Sequence, residues 1–459
     1  VEKWKGGKVK LNLKICLFVS ILVLSIGQAF ALKPDEPVYY AAPARLNGIS
    51  PEMNTPGFWI ARHPYPDSLI LQPFQIDNLN LHINKQGTVT KIWQHSSRVS
   101  GSRVKTQINH LLSTLFELGK FTSDGIKTPQ SLRDSIRVNA AADKVPGNIN
   151  VRFAFPISVA RQRFAPTFAN LNKVLLDTEF DEGQNSGENT GSALVLYHDS
   201  ADGLWAFGAC ATSTGWFLKS ELSIISQKDW LAYQNASRKV VCTDARADLW
   251  LDERATQFHT FCRMGSVFPY LGETKDYYRI RIPVSDSLGI GYIAKTAASD
   301  GFLAYTPRNV YRQAFKLLNM PYGWGDTGSD FDCSSLLKSL FASFGISLPR
   351  NGLFQVKAAR NYHEFSERES EESKQQTLIS KAVPGLTLLR LNGHIMLYLG
   401  QADGKAYVLH DTWGVKKPGQ NAEDDTFVIN KTVVSDLFLS RNTERGSLLK
   451  RLTHYGILR

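Results

Sequence analysis

Cysteine is scarce in this chain, five residues in 459, and no Cys-x-x-Cys pair occurs. That excludes a disulfide scaffold and offers no structural zinc site of the ribbon or finger type. No apolar run reaches the roughly 20 residues that a membrane span needs. There is no basic helix and no interleaving of aromatic and basic residues, so the formal charge of +11 does not point to nucleic acid. With 43% hydrophobic and 21% charged residues, disorder is excluded as the dominant state.

Part of the positive charge sits at the start of the sequence. Lys3, Lys5, Lys8, Lys10 and Lys14 lead into the apolar stretch 15–26, followed by Gly27-Gln28-Ala29-Phe30-Ala31. Basic, greasy and small-x-small segments in that order form a secretory signal over residues 1–31, with cleavage after Ala31. An uncleaved anchor is the alternative, disfavoured by the shortness of the run. Cys16 leaves with the signal, and no stable span is expected afterwards. The remainder carries a charge of about +7 and Cys210, Cys242, Cys262 and Cys333. Cys242 and Cys262 are read either as a bridge or as buried free thiols.

A length of 459 residues favours about three or four domains. Residues 33–51 form an extended lead-in rich in proline and small residues. Within 32–145, residues 107–121 place Ile108, Leu111, Leu112, Leu115, Phe116 and Leu118 at helical spacing, and the unit is read as a mostly helical stabilising domain. Short β-like segments follow. One set is 193–197, a turn at Asp202-Gly203, 204–207 and 215–218; the other is 266–268, 276–282 and 291–294. Both have the order strand, turn, aromatic strand and Gly-aromatic strand, which argues for two small β-barrels at 146–232 and 233–304. The charged run 367–376, inside the last unit (305–459), is read as a solvated loop.

That last unit carries the chemistry. In the run 332–345, Leu336, Leu337, Leu340, Phe341 and Phe344 recur at helical intervals and Gly345 is a natural stop. Asp332 is placed to cap the helix, which puts Cys333 in its first turn. There the unpaired N–H groups favour a thiolate and could hold an oxyanion. His394 opens one apolar strand and His410 closes the next. If Gly400 pairs with Ala406, His394 faces Thr412 and His410 lies diagonally beside it, roughly 7–8 Å away at Cα. A tighter turn on Asp403-Gly404 would put the two histidines on opposite faces. A cysteine at a helix start with two histidines on one face fits a nucleophile, a base and an orienting group. A zinc site on the same three residues lacks a supporting cluster.

The run PYGWGDTGSDFDCSSLLKSLFASFGISLPRN, followed by GHIMLYLG and VLHDTWG, resembles the NlpC/P60 cysteine peptidases. The resemblance implies a multidomain α+β protein. A papain-like catalytic domain would be preceded by two SH3-like barrels and the helical unit. It makes Cys333 the nucleophile, His394 the general base and His410 the residue that orients it, with no metal or organic cofactor. Tyr322 and Trp324 would line the substrate groove, and Asp332 and Ser334 would bind the free amino end of a stem peptide. The arrangement, with the segment MNTPGFWIARHPYPDSLILQPFQ, is similar to γ-D-glutamyl-L-diamino acid endopeptidases. In that subgroup the first SH3-like domain restricts substrates to peptides with a free N-terminal L-alanine. Arg161, Arg163 and Glu179 are its candidate contributors here. Two departures are Gly352, where a serine is common, and Ser335, where glycine is commoner. The partners expected are peptidoglycan stem peptides, and the expected location is secreted and periplasmic. Rival readings are a wall-peptide amidase or transpeptidase using the same triad, and a wall-binding protein with an inert peptidase domain.

Overall fold

The polar–apolar periodicity partitions the chain into one helical and three sheet-forming regions. The computed structural model describes residues 46, 48–419 and 424–459. The expected signal and most of the lead-in lie outside the described residues. Among the described residues no helix is long and apolar enough to cross a membrane.

The N-terminal region holds helices Pro56–Arg62, Pro73–Lys85, Gly101–Leu118 and Gln130–Ala140. Gly101–Leu118 is the helix expected at 107–121, begun earlier. Its buried face of Val104, Ile108, Leu111, Leu112 and Leu115 packs on Trp205, Phe207 and Trp216. It stops at Gly119, where an added Cβ would lie 2.7 Å from Leu171.

Where the sequence leads to small barrels, the strands form two antiparallel seven-stranded sheets. The first runs in the order Leu222–Ile225, Arg152–Pro156, Leu194–Asp199, Trp205–Ala209, Thr214–Leu218, Ala160–Arg163 and Gln184–Glu188. The second runs Phe258–Arg263, Arg246–Trp250, Ser287–Ala294, Tyr277–Val284, Val267–Glu273, Lys239–Cys242 and Ala298–Asp300. The two end strands of each sheet do not pair with one another among the described residues, so neither closes as a barrel. The sheets share a core in which Phe153, Phe155 and Val195 meet Trp230, Phe268, Ile280 and Ile282. Cys242 and Cys262 are buried as free thiols.

The last region is a six-stranded antiparallel sheet packed on helix α1 (Cys333–Ala342). Leu336, Leu337, Leu340 and Phe341 of α1 are fully buried in a core with Met396, Leu397 and Leu409. Each such side chain stabilises the fold by roughly 1.5–3 kcal/mol. The run 367–376 is not simply a loop. Ser370 caps helix Glu371–Lys381 by accepting the Ser373 N–H, and Glu371 and Glu372 occupy its favourable first turn. The Lys374 amine turns inward and donates to the carbonyls of Lys450 and Leu452.

The register that decides the histidines combines both readings of the turn. Strand β1 (His394–Ala402) and strand β2 (Lys405–Lys417) meet at a two-residue turn, with Ala402 opposite Lys405. Asp403 and Gly404 both have positive φ, 48° and 71°, as a tight primed turn requires. Alone, that turn would separate the histidines. A bulge between Tyr398 and Gly400 then shifts the pairing by one residue, so that Tyr398 faces Val408 and Leu397 faces Leu409. Gly400, at φ 133°, supplies the backbone freedom for the shift. His394 and His410 thereby return to one face. Strand β3 (Asp425–Asp436) pairs along β2 and places Val433 opposite His410.

Candidate active site

Asp332 begins the site by capping α1. Its Oδ1 accepts the N–H groups of Ser334 and Ser335 at 3.0 and 2.9 Å, while Ser335 Oγ accepts the Asp332 N–H at 2.9 Å. This reciprocal capping box gives Ser335, one of the two departures, a structural task. Asp332 takes the second and third N–H groups of the helix, leaving that of Cys333. The Cys333 thiol lies against β1, where the Ile395 N–H reaches its sulfur. Burial, and then the charge of Asp332, push that thiol up to about 12. This corrects the expectation of a favoured thiolate: desolvation outweighs the first-turn dipole. Gly352, the other departure, begins a helix that closes on Ile395; a Cβ there would stand 3.3 Å from the Ile395 Cβ.

The two histidines are joined. His394 Nε2 and His410 Nδ1 are 2.7 Å apart with rings at 71°, and His410 Nε2 lies 3.0 Å from Ser435 Oγ. Burial, reinforced by the charges of Arg451 and Arg445, pulls the His394 imidazole down to about 4, and Asp332 opposes this. His410 is 1% exposed, and burial with its neighbour His394 drives its pKa well below the ordinary imidazole value. Among the described residues no three or more His, Cys, Asp or Glu side chains converge as metal ligands would.

His394 and His410 border a groove of about 290 Å³ that also takes in Tyr322, Trp324 and Thr412. Its aromatic wall is Phe180, edge-on to Trp324 at 5.1 Å and to Trp413 at 5.3 Å. Burial, then the facing Cys333, Asp332 and Asp411, keep the Tyr322 phenol from ionising. A larger cavity of about 620 Å³ lies away from the histidines, beside Lys338, Glu188 and Arg263.

Asp332 and Ser334, expected to receive an amino group, are occupied. Arg350 donates to Asp332 Oδ1 and Oδ2 at 3.1 and 2.5 Å, to Ser334 Oγ at 2.6 Å and to Ser186 Oγ at 3.0 Å. Behind it lies Asp326, whose Oδ2 accepts the Gly187 N–H at 2.9 Å. Arg263, only 2% exposed, sits 3.7 Å from Asp326 and donates to the Gly187 carbonyl. A side chain at 187 would collide with Asp326 at 2.7 Å. One buried charge cluster thus links both seven-stranded sheets to the cap of α1. Of the three candidates from residues 146–232, Arg161 pairs with Glu221 and Arg163 with Asp181, while Glu179 is exposed. None of them lines the groove; their neighbour Phe180 does.

This geometry accompanies a match in sequence: residues 319–425 fit the NlpC/P60 family model. Residues 319–425 are an NlpC/P60 domain. NlpC/P60 is a cysteine peptidase family, and the match supports a peptidase. Beyond the NlpC/P60 domain, the structure of an NlpC/P60 endopeptidase from Photobacterium damselae subsp. piscicida superposes with a TM-score of 0.71 at 20% identity. The overlap covers 86% of this chain and 95% of that one, so the fold extends through the sheets that precede the domain. An NlpC/P60 family protein from Bacillus cereus matches at a TM-score of 0.45 and 15% identity, over 66% of this chain and 98% of that one. No curated protein matches the chain.

Proposed function

We propose that the protein is an exported, periplasmic cysteine endopeptidase that hydrolyses the γ-D-glutamyl-L-diamino acid bond of peptidoglycan stem peptides. The observation that carries the reading is the relay from His394 to His410 and Ser435, next to Ile395, whose N–H reaches the sulfur of Cys333 at the helix start. With Nε2 of His394 committed to His410, Nδ1 is the atom left for the thiol. His394 then donates from Nε2 to His410 Nδ1, and His410 donates from Nε2 to Ser435.

The chemistry follows from two neutral partners. His394 Nδ1 takes the Cys333 proton as the sulfur attacks the γ-carbonyl, because burial disfavours a free thiolate before substrate arrives. The Cys333 N–H donates to the tetrahedral oxyanion. The imidazolium gives its proton to the departing amine, and water, deprotonated by the same nitrogen, releases the acid and restores the thiol. The first sheet, read as part of an SH3-like unit, brings Ser186 to the cap of α1, and the loop before its last strand brings Phe180 to the groove. A preference for a free N-terminal L-alanine rests on Asp332 and Ser334, where the amine must share acceptors with Arg350.

The test is mass spectrometry of the mature protein with L-Ala-γ-D-Glu-meso-diaminopimelate and its N-blocked analogue. Release of L-Ala-D-Glu from the free peptide alone supports both the bond and the amine gate. Cleavage of both peptides discards the gate. Absence of cleavage in either, or turnover by Cys333→Ala protein, refutes the reading.

A further inference from the structure

The groove is basic where the mechanism needs no cation. Lys416, Arg445 and Arg451 all line it together with His394 and Trp413, and the charges of Arg451 and Arg445 reach His394. None of the three has a carboxylate partner among the described residues. Lys416 donates to the Asp424 carbonyl at 3.1 Å, and Arg451 Nε donates to the Ser447 carbonyl at 3.2 Å. Their neighbour Arg441 is treated differently, pairing with Glu371 and Glu372. Arg451 is half-buried, and burial together with the adjacent Arg445 pulls its pKa down to about 10. Two guanidiniums held close without an anion repel one another, and a bound carboxylate relieves that repulsion.

The position of these cations sets what they meet. In acyl transfer the leaving amine departs beside the base that protonates it, so the groove next to His394 takes the leaving group. Three cations call for more negative charge than a single carboxylate supplies. On the reading of the site as a γ-D-glutamyl endopeptidase, we infer that Arg451, with Arg445 and Lys416, forms a carboxylate subsite on the leaving-group side, selecting a diamino dicarboxylic acid over a diamino monocarboxylic acid. The subsite is a specificity element: it touches the leaving group and not the reacting atoms.

The experiment compares kcat/KM for L-Ala-γ-D-Glu-meso-diaminopimelate and L-Ala-γ-D-Glu-L-Lys in the full mature chain, its Arg451→Gln and Arg445→Gln variants, and a Lys405→Gln control. Lys405 pairs with Asp436 and lies outside the groove. A charge-assisted carboxylate pair predicts a preference of about tenfold or more for the diaminopimelate peptide. That preference falls towards one in Arg451→Gln and Arg445→Gln and stays in Lys405→Gln. Calorimetry of free meso-diaminopimelate and L-lysine against Cys333→Ala protein, with and without Arg451→Gln, reads the subsite without turnover. Equal rates for both peptides, or a preference that survives both arginine variants, overturns the subsite while leaving the endopeptidase reading intact. No cleavage, with diaminopimelate binding that Arg451→Gln abolishes, removes the endopeptidase reading and keeps the subsite. No cleavage and no selective binding removes both.

Discussion

Replacing Arg350 with methionine takes the cation from a buried cluster and leaves two carboxylates behind. Arg350 is 13% exposed and Asp332 10%. Removing one member of such a pair costs about 3–5 kcal/mol, because the remaining charge stays buried without its partner. Asp332 keeps the N–H groups of Ser334 and Ser335. That places the expected loss near the lower end, about 3 kcal/mol at pH 7. Ser186→Ala, which removes a single acceptor of Arg350, gives a reference loss of about 1 kcal/mol. The loss in Arg350→Met also depends on pH. Burial pushes the Asp332 carboxyl up, but the charge and bonds of Arg350 hold it below the usual carboxylate range. A depressed carboxylate stabilises the fold above its unfolded pKa and loses that contribution as pH falls through its folded value. The advantage of the natural protein over Arg350→Met therefore shrinks on acidification below about pH 4. Urea midpoints from tryptophan fluorescence at pH 7 and at about pH 3 measure it. A loss no larger than that of Ser186→Ala at pH 7, or one that does not change with pH, would refute the argument.

Alkylation of Cys333 by iodoacetamide is expected to be slow at pH 7 and to rise through the alkaline range, since burial holds the thiol protonated; a rate already flat from low pH would contradict this. Arg451→Gln should move the acid limb of kcat/KM upwards, because Arg451 and Arg445 lower the His394 pKa while Asp332 raises it. A limb that stays in place would show that those charges do not reach the base. Asp411 is fully buried, and burial, then the nearby Asp332 and Asp330, raise its pKa well above the ordinary value of 3.8. A raised carboxyl loses stability as pH climbs from its unfolded towards its folded pKa, so Asp411→Asn should raise Tm, with a larger gain at pH 7 than at pH 4. Equal gains at both values would sink that account.

Local chemistry made the start of α1 readable. An aspartate before a helical apolar pattern names its own cap, and the cysteine after it follows. The histidines depended on a register that no short window could settle. The Asp403-Gly404 turn was legible, but its consequence was reversed by the bulge before Gly400, a compromise that pairing along the whole hairpin imposes. Helix Glu371–Lys381 had its signal in Ser370 and the two glutamates that follow, overshadowed by the density of charge. Phe180, Ser435, Asp326 and Arg451 could not be found by spacing at all. Each comes from a separate segment and gains meaning only where the fold brings it to the groove or to the cap. The barrel pattern was read from strand order, yet closure depends on whether the end strands meet, which local sequence does not encode.

The clasp of Ser186, Gly187 and Arg263 on Asp326 and Arg350 gives the order of the chain a temporal meaning. Both seven-stranded sheets leave the ribosome before residues 319–425, and domains generally fold from the N-terminus as they emerge. When Asp332 and Arg350 arrive, the surface that completes their cluster is already standing. A copy of the NlpC/P60 domain released by itself would present the loop Trp324–Ser329 as an empty socket. Chain order therefore works as a timer: the reactive thiol is framed only after everything that positions it has been made.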